Sequence, residues 1–158
     1  MIIEYMIKTG YIDHLIDNAT KAKFSKPIRE FIFEDLEQLN DIDKAIYIIE
    51  EINANKEKTF NDFLAYKDSK KRNCPKANNP SNILYVGSST TNVKGRIKQH
   101  IEEAPIRTYA LHFKHWFKGK YKITILVYDE PNEVLQIIED NIANNLKPAF
   151  GKMGGNNK

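Results

Sequence analysis

Among the 158 residues there is a single cysteine, Cys74, set between Asn73 and Pro75. One thiol can neither close an internal disulfide nor supply a metal cluster, so both are excluded as organising devices. Long apolar runs are missing too: Met1-Ile2-Ile3 is broken by Glu4, and no later segment approaches the roughly 20 apolar residues that span a bilayer. This sets the expectation of a cytoplasmic protein with no membrane partner. No repeat is visible, and no GxGxxG or P-loop motif supports a doubly wound nucleotide-binding fold. The charge is small as well, +3 overall, and a balance this slight does not by itself predict a polyanionic partner.

What is present is an ordinary globular composition, 41% hydrophobic and 28% charged, in a chain long enough for one substantial core. The basic residues are unevenly spread. Lys67, Lys70, Lys71, Arg72 and Lys76 form one cluster, Lys94, Arg96 and Lys98 a second, and Lys114, Lys118, Lys120 and Lys122 a third. Each could face phosphates, although a charge run taken alone is as well explained by a solvated face.

Periodicity gives the elements. Ile12, Leu15 and Ile16, then Ile28, Phe31, Ile32, Leu36 and Leu39, recur at three- and four-residue steps and predict two amphipathic helices, with Pro27 in the first turn of the second. The run from Ala45 to Ile49 favours a strand. Residues 56–71 are weakly helical, 72–81 are loop, and 82–87 read as a strand leading into a helix that Asn92 or a neighbouring hydroxyl can cap. The aromatic block Tyr109 to Phe117 predicts a buried short helix. Residues 123–128 alternate as a strand, and a last helix runs between Pro131 and Pro148. Three strands with such different connections give an α+β class, a small sheet flanked by helices. A helical extension over 1–42 precedes the core at 43–152, and the glycine-rich tail, 153–158, is flexible.

Four positions stand out chemically. Arg96 and His100 lie four apart on one helix, where a guanidinium and an imidazole can share a phosphate. Glu139 sits at the edge of the apolar stripe Leu135, Ile138 and Ile142; a carboxylate buried there needs a partner, a hydrogen bond or a cation. Tyr47 and Tyr85 fall on separate predicted strands. In chain order the motifs are Ala45-Ile46-Tyr47, then Leu84-Tyr85-Val86-Gly87-Ser88-Ser89, then Gly95-Arg96-Ile97-Lys98-Gln99-His100, then Glu139.

That order resembles the GIY-YIG nuclease family over roughly residues 43–152. Three departures stand beside the likeness. Ala45 replaces the first-motif glycine, with Leu64-Ala65-Tyr66 as a rival location for that motif, the segment between Tyr47 and Tyr85 is much longer than the family's short hairpin turn, and Gly151-Lys152 stands where an asparagine is often found. The resemblance implies a mainly antiparallel three-stranded sheet and a metal-dependent endonuclease acting on DNA. It assigns Tyr47, Tyr85, Arg96, His100 and Glu139 to the catalytic site, with Glu139 holding one Mg²⁺ for which Mn²⁺ can substitute, and Lys94, Arg96, Lys98 and Lys152 to nucleic-acid contact. In these terms Tyr47 is the candidate general base for water, Tyr85 positions water or phosphate, and Arg96 clamps the phosphate. The alternative is a module on the same fold that binds nucleic acid or a protein without cutting.

Overall fold

A computed structural model describes residues 2–53 and 55–154. Its centre is a four-stranded antiparallel sheet built from β1 (Arg29–Ile32), β2 (Ala45–Ile52), β3 (Ile83–Ser89) and β4 (Lys120–Val127), in the order β1-β4-β2-β3. The most apolar of these, β2, takes a central place, pairing with β4 along all eight of its residues and with β3 on its other side. Because side chains alternate across a strand, β2 serves two cores. Ala45, Tyr47 and Ile49 face one layer with Ile123 and Ile125, while Ile46 faces the other with Val86, Leu135 and Ile138.

The first layer is covered by α3 (Lys56–Asp68), α4 (Val93–Ile101) and α5 (Phe113–Trp116), and the second by α6 (Asn132–Leu146), against which α2 (Gly10–Phe24) lies. A short α1 (Ile2–Met6) precedes α2. Capping follows the sequence: Asn55 Oδ1 accepts the Lys58 N–H at the start of α3, and Asn92 Oδ1 accepts the Gly95 N–H at the start of α4. The aromatic block forms the expected short buried helix over Phe113–Trp116, with Trp116 and Phe63 edge to face at 5.3 Å, but Tyr109 lies ahead of it and is exposed.

Two expectations are corrected. The second N-terminal helix does not form: Ile28 to Ile32 run extended, Ile28 N–H donates to the Val127 carbonyl at 2.8 Å, and β1 adds a fourth strand along the free edge of β4. Leu36–Leu39 is a single 3-10 turn, closed at its start by a capping box between Asp35 and Gln38. Ladder pairing and that local cap override a three- and four-residue spacing that was only about three turns long. The first helix does form as α2, yet its stripe is turned outward, with Ile12, Leu15 and Ile16 at 54, 46 and 60% exposure. The face of α2 that meets α6 carries Ala22 and the buried Asn18 instead. Of the tail, 155–158 lies outside the described residues.

Candidate active site

Register places the first tyrosine. Tyr47 on β2 is paired with Gly87 on β3, and Tyr85, two residues earlier, points to the same face, so the two rings stack at 6.2 Å and 14°. The glycine is what permits this: a Cβ on Gly87 would lie 2.6 Å from the Tyr47 hydroxyl and 2.8 Å from Tyr85 Cε1, inside contact distance of both. Tyr66, the rival first-motif residue, is on α3, where its hydroxyl accepts from Arg72 and its ring stacks near His115. Thus Tyr47, not Tyr66, meets Tyr85. Ala45 is fully buried between Ser89 and Val127, an in-register strand position that a methyl fills without disturbing the ladder.

α4 starts just past the end of β3 and turns its inner face back onto these rings. His100 is fully buried, its Nε2 is 3.1 Å from the Tyr47 hydroxyl, and its Nδ1 accepts the Leu111 N–H at 3.1 Å. A backbone N–H can only donate, so Nδ1 is bare and the neutral ring carries its proton on Nε2. Burial, helped by the positive charge of Arg96, holds the imidazole well below its ordinary value and keeps it neutral. Arg96 is held by three acceptors, Gln99 Oε1 and the Tyr109 carbonyl at 2.9 Å each and the Tyr85 hydroxyl at 3.4 Å. A guanidinium fixed this way presents a preorganised cation rather than a mobile one.

Both tyrosines are pushed above the ordinary phenol value, chiefly by burial; Arg96 opposes the shift and the negative charge of Glu139 adds to it. Electrostatically, then, Glu139 belongs to this group although it comes from the opposite layer. It is buried on α6, accepts from Gln136 Nε2 at 2.7 Å, and its carboxyl is raised by burial against the pull of hydrogen bonds from Gln136 and Ser88. Lys152 favours its charge without forming an ion pair with it. A carboxylate satisfied by neutral donors, and disfavoured by burial, has the chemistry that a divalent cation relieves. Among the described residues no three His, Cys, Asp or Glu side chains converge, so such a cation would complete its shell with water and substrate oxygen.

A cleft of about 780 Å³ opens beside Tyr85, with Tyr109, Gly151 and Lys152 among its walls. Gly151, at φ +86°, lies against Tyr85, and a Cβ there would approach Cε2 of that ring to 2.7 Å. Here the asparagine sometimes seen in this region is replaced by direct ring packing. Of the expected nucleic-acid contacts, Lys152 lines the cleft and Lys98 is exposed on α4, whereas Lys94 is drawn away to Asn40 Oδ1 at 2.6 Å and Glu37 Oε1 at 3.6 Å. The sequence reading missed the Tyr109 carbonyl, the Leu111 N–H and Ser88. Two of these act through backbone atoms, which residue patterns do not mark; Gln99, three residues after Arg96 on the same helix, was within reach of spacing rules.

Residues 76–153 match the family model of the GIY-YIG catalytic domain. Over this stretch the chain is similar to the GIY-YIG catalytic domain. Comparison with curated proteins and with solved structures returns no match. The matched stretch holds β3, α4, β4 and α6 with Tyr85, Arg96, His100 and Glu139; Tyr47 lies ahead of it and meets Tyr85 through the β2–β3 pairing. The long β2–β3 connection that separates them contains α3.

Proposed function

We propose that this GIY-YIG domain is a metal-dependent endonuclease that hydrolyses phosphodiester bonds in DNA, with Mg²⁺ as its ion and Mn²⁺ as a substitute. The observation that carries the reading is the convergence of Tyr47, Tyr85, Arg96 and His100 from three elements onto one patch, with the buried Glu139 inside their electrostatic reach. Glu139 is the residue that would hold the cation, and a divalent ion there supplies Lewis-acid polarisation of the phosphate and neutralises developing charge.

The chain's own groups divide the remaining work. Arg96 donates to the phosphate oxygens as their charge grows, from a position its three acceptors already fix. Tyr47, as a phenolate whose own proton has first gone to solvent, accepts a proton from the attacking water. The Nε2–H of His100 and the charge of Arg96 favour its phenolate against burial, and Tyr85 orients water or phosphate alongside. The proton on Nε2 means that His100 supports this phenolate as a donor; it does not take the tyrosine's proton.

Mn²⁺ titration followed by electron paramagnetic resonance tests the proposal. One site per chain, lost in Glu139→Gln with the fold retained, is the expected result. Absence of a site, or a site indifferent to that change, contradicts it.

A further inference from the structure

The three lysine-rich clusters of the sequence have different fates. Lys94 is paired with Glu37, Lys114 with Glu103 and Lys122 with Glu50, so the second and third clusters are partly neutralised within the fold. The first is not. Lys67, Lys70 and Arg72 line the cleft beside Tyr85 together with Lys76 and Lys152, against one carboxylate, Asp68. Among the described residues, none of Lys67, Lys70, Arg72 and Lys152 forms an ion pair. Of these, Lys67, Lys70 and Arg72 come from α3 and the loop after it, ahead of the stretch that matches the family.

Two further features show that the wall is held in place. Lys67 Nζ donates to the Pro75 carbonyl at 3.0 Å, and Arg72 Nη1 donates to the Tyr66 hydroxyl at 3.3 Å while its Nε stays buried without a partner. Lys70 stands just past the end of α3 in the left-handed region, φ +57°, where glycine is the residue of lowest cost. A lysine kept there retains a cation at the expense of backbone comfort. Tyr109, 64% exposed, lines the same cleft, and its carbonyl anchors Arg96.

Resting on the nuclease reading, we propose that this cleft seats a short unpaired stretch of the nucleic-acid strand leading to the Tyr85–Arg96 site, with phosphates on Lys67, Lys70 and Arg72 and a base against Tyr109. A groove lined by several cations and an exposed aromatic residue is the combination that binds single strands without sequence readout. Its volume, about 780 Å³, lies in the range of ligand-binding pockets.

Fluorescence anisotropy with a labelled 12-nucleotide single strand, in EDTA and over a range of KCl concentrations, tests this without any need for cleavage. Lys70→Gly should melt no lower than the parent, yet bind about three- to tenfold more weakly, and the slope of log affinity against log salt should flatten by about 0.7 for the lost contact. Lys67→Gln should behave alike in binding, Tyr109→Ala should weaken binding with the salt slope kept, and Lys120→Gln, the same charge change outside the cleft, should do neither. Unchanged affinity and slope in the Lys67→Gln/Lys70→Gly double variant, or preference for an equally long blunt duplex, overturns the proposal. If that double variant also still cuts DNA like the parent, the nuclease reading survives the loss of the cleft assignment. Weakened binding in a chain that cuts nothing with Mg²⁺ or Mn²⁺ upholds the cleft and removes the nuclease.

Discussion

The Tyr47 hydroxyl and Nε2 of His100 stand 3.1 Å apart, and because Nδ1 of the same ring accepts the Leu111 N–H, the imidazole proton points at the tyrosine oxygen. The arrangement predicts a fixed tautomer. In ¹⁵N-resolved NMR of the imidazoles, His100 should show a protonated Nε2 and a bare Nδ1 at pH 7. A spectrum with the proton on Nδ1 would mean that the Leu111 contact is not made and that His100 can accept from Tyr47 after all.

Burial of a neutral imidazole also links stability to pH. The unfolded chain takes up a proton on His100 near pH 6.5, while the folded chain does so only at much lower pH. Above about 6.5 neither state binds it and stability is flat on this account. As pH falls below that value the unfolded state gains the proton first, and stability declines by up to about 1.4 kcal/mol per pH unit until the folded value is reached. His112, also depressed by burial, acts in the same direction. Urea unfolding at pH 7.5 and 5.5 should show a smaller acid loss in His100→Gln than in the parent; equal losses would contradict the assignment.

Gly87→Ala should be costly for a side chain of one carbon. Its methyl meets the Tyr47 hydroxyl and the Tyr85 ring, each held by neighbours that cannot retreat freely. Overpacking of this kind costs about 1–3 kcal/mol. Since the rings that must move are those proposed for catalysis, cleavage should fall further than stability alone explains. Stability and plasmid nicking measured side by side check this, and an unaffected nicking rate would separate Gly87 from the site.

At Gly151, introducing asparagine should harm rather than help. The backbone is left-handed there and the Tyr85 ring occupies the space a Cβ needs. Gly151→Asn should therefore lower nicking by displacing Tyr85. An increase would show that the chain simply lacks a supporting amide that the fold can still accommodate.

Much of this was legible in residue order. The block from Leu84 to His100 carries its own instructions: an apolar strand, a glycine where two tyrosines crowd, an asparagine cap, and two polar residues four apart beside Ile97 and Ile101. Glu139 could be singled out because burial of a carboxylate at a stripe edge is expensive. Tyr47 was harder, since its partnership with Tyr85 is made by strand pairing across the long segment holding α3, and spacing rules do not see across such a connection. Residues 28–39 were misread because Ile28, Phe31 and Ile32 fit helical spacing over too short a span, while the free edge of β4 that recruits them lies about a hundred residues away. The outward stripe of α2 failed differently. Amphipathic spacing tells that a helix has two faces, and tertiary contact decides which one is covered.

The central claim is most directly tested by nicking of supercoiled plasmid in Mg²⁺ or Mn²⁺, comparing the parent with Arg96→Ala and Glu139→Ala. The account predicts cleavage by the parent and a loss of about a hundredfold or more in each variant. Equal cleavage by all three proteins would contradict it.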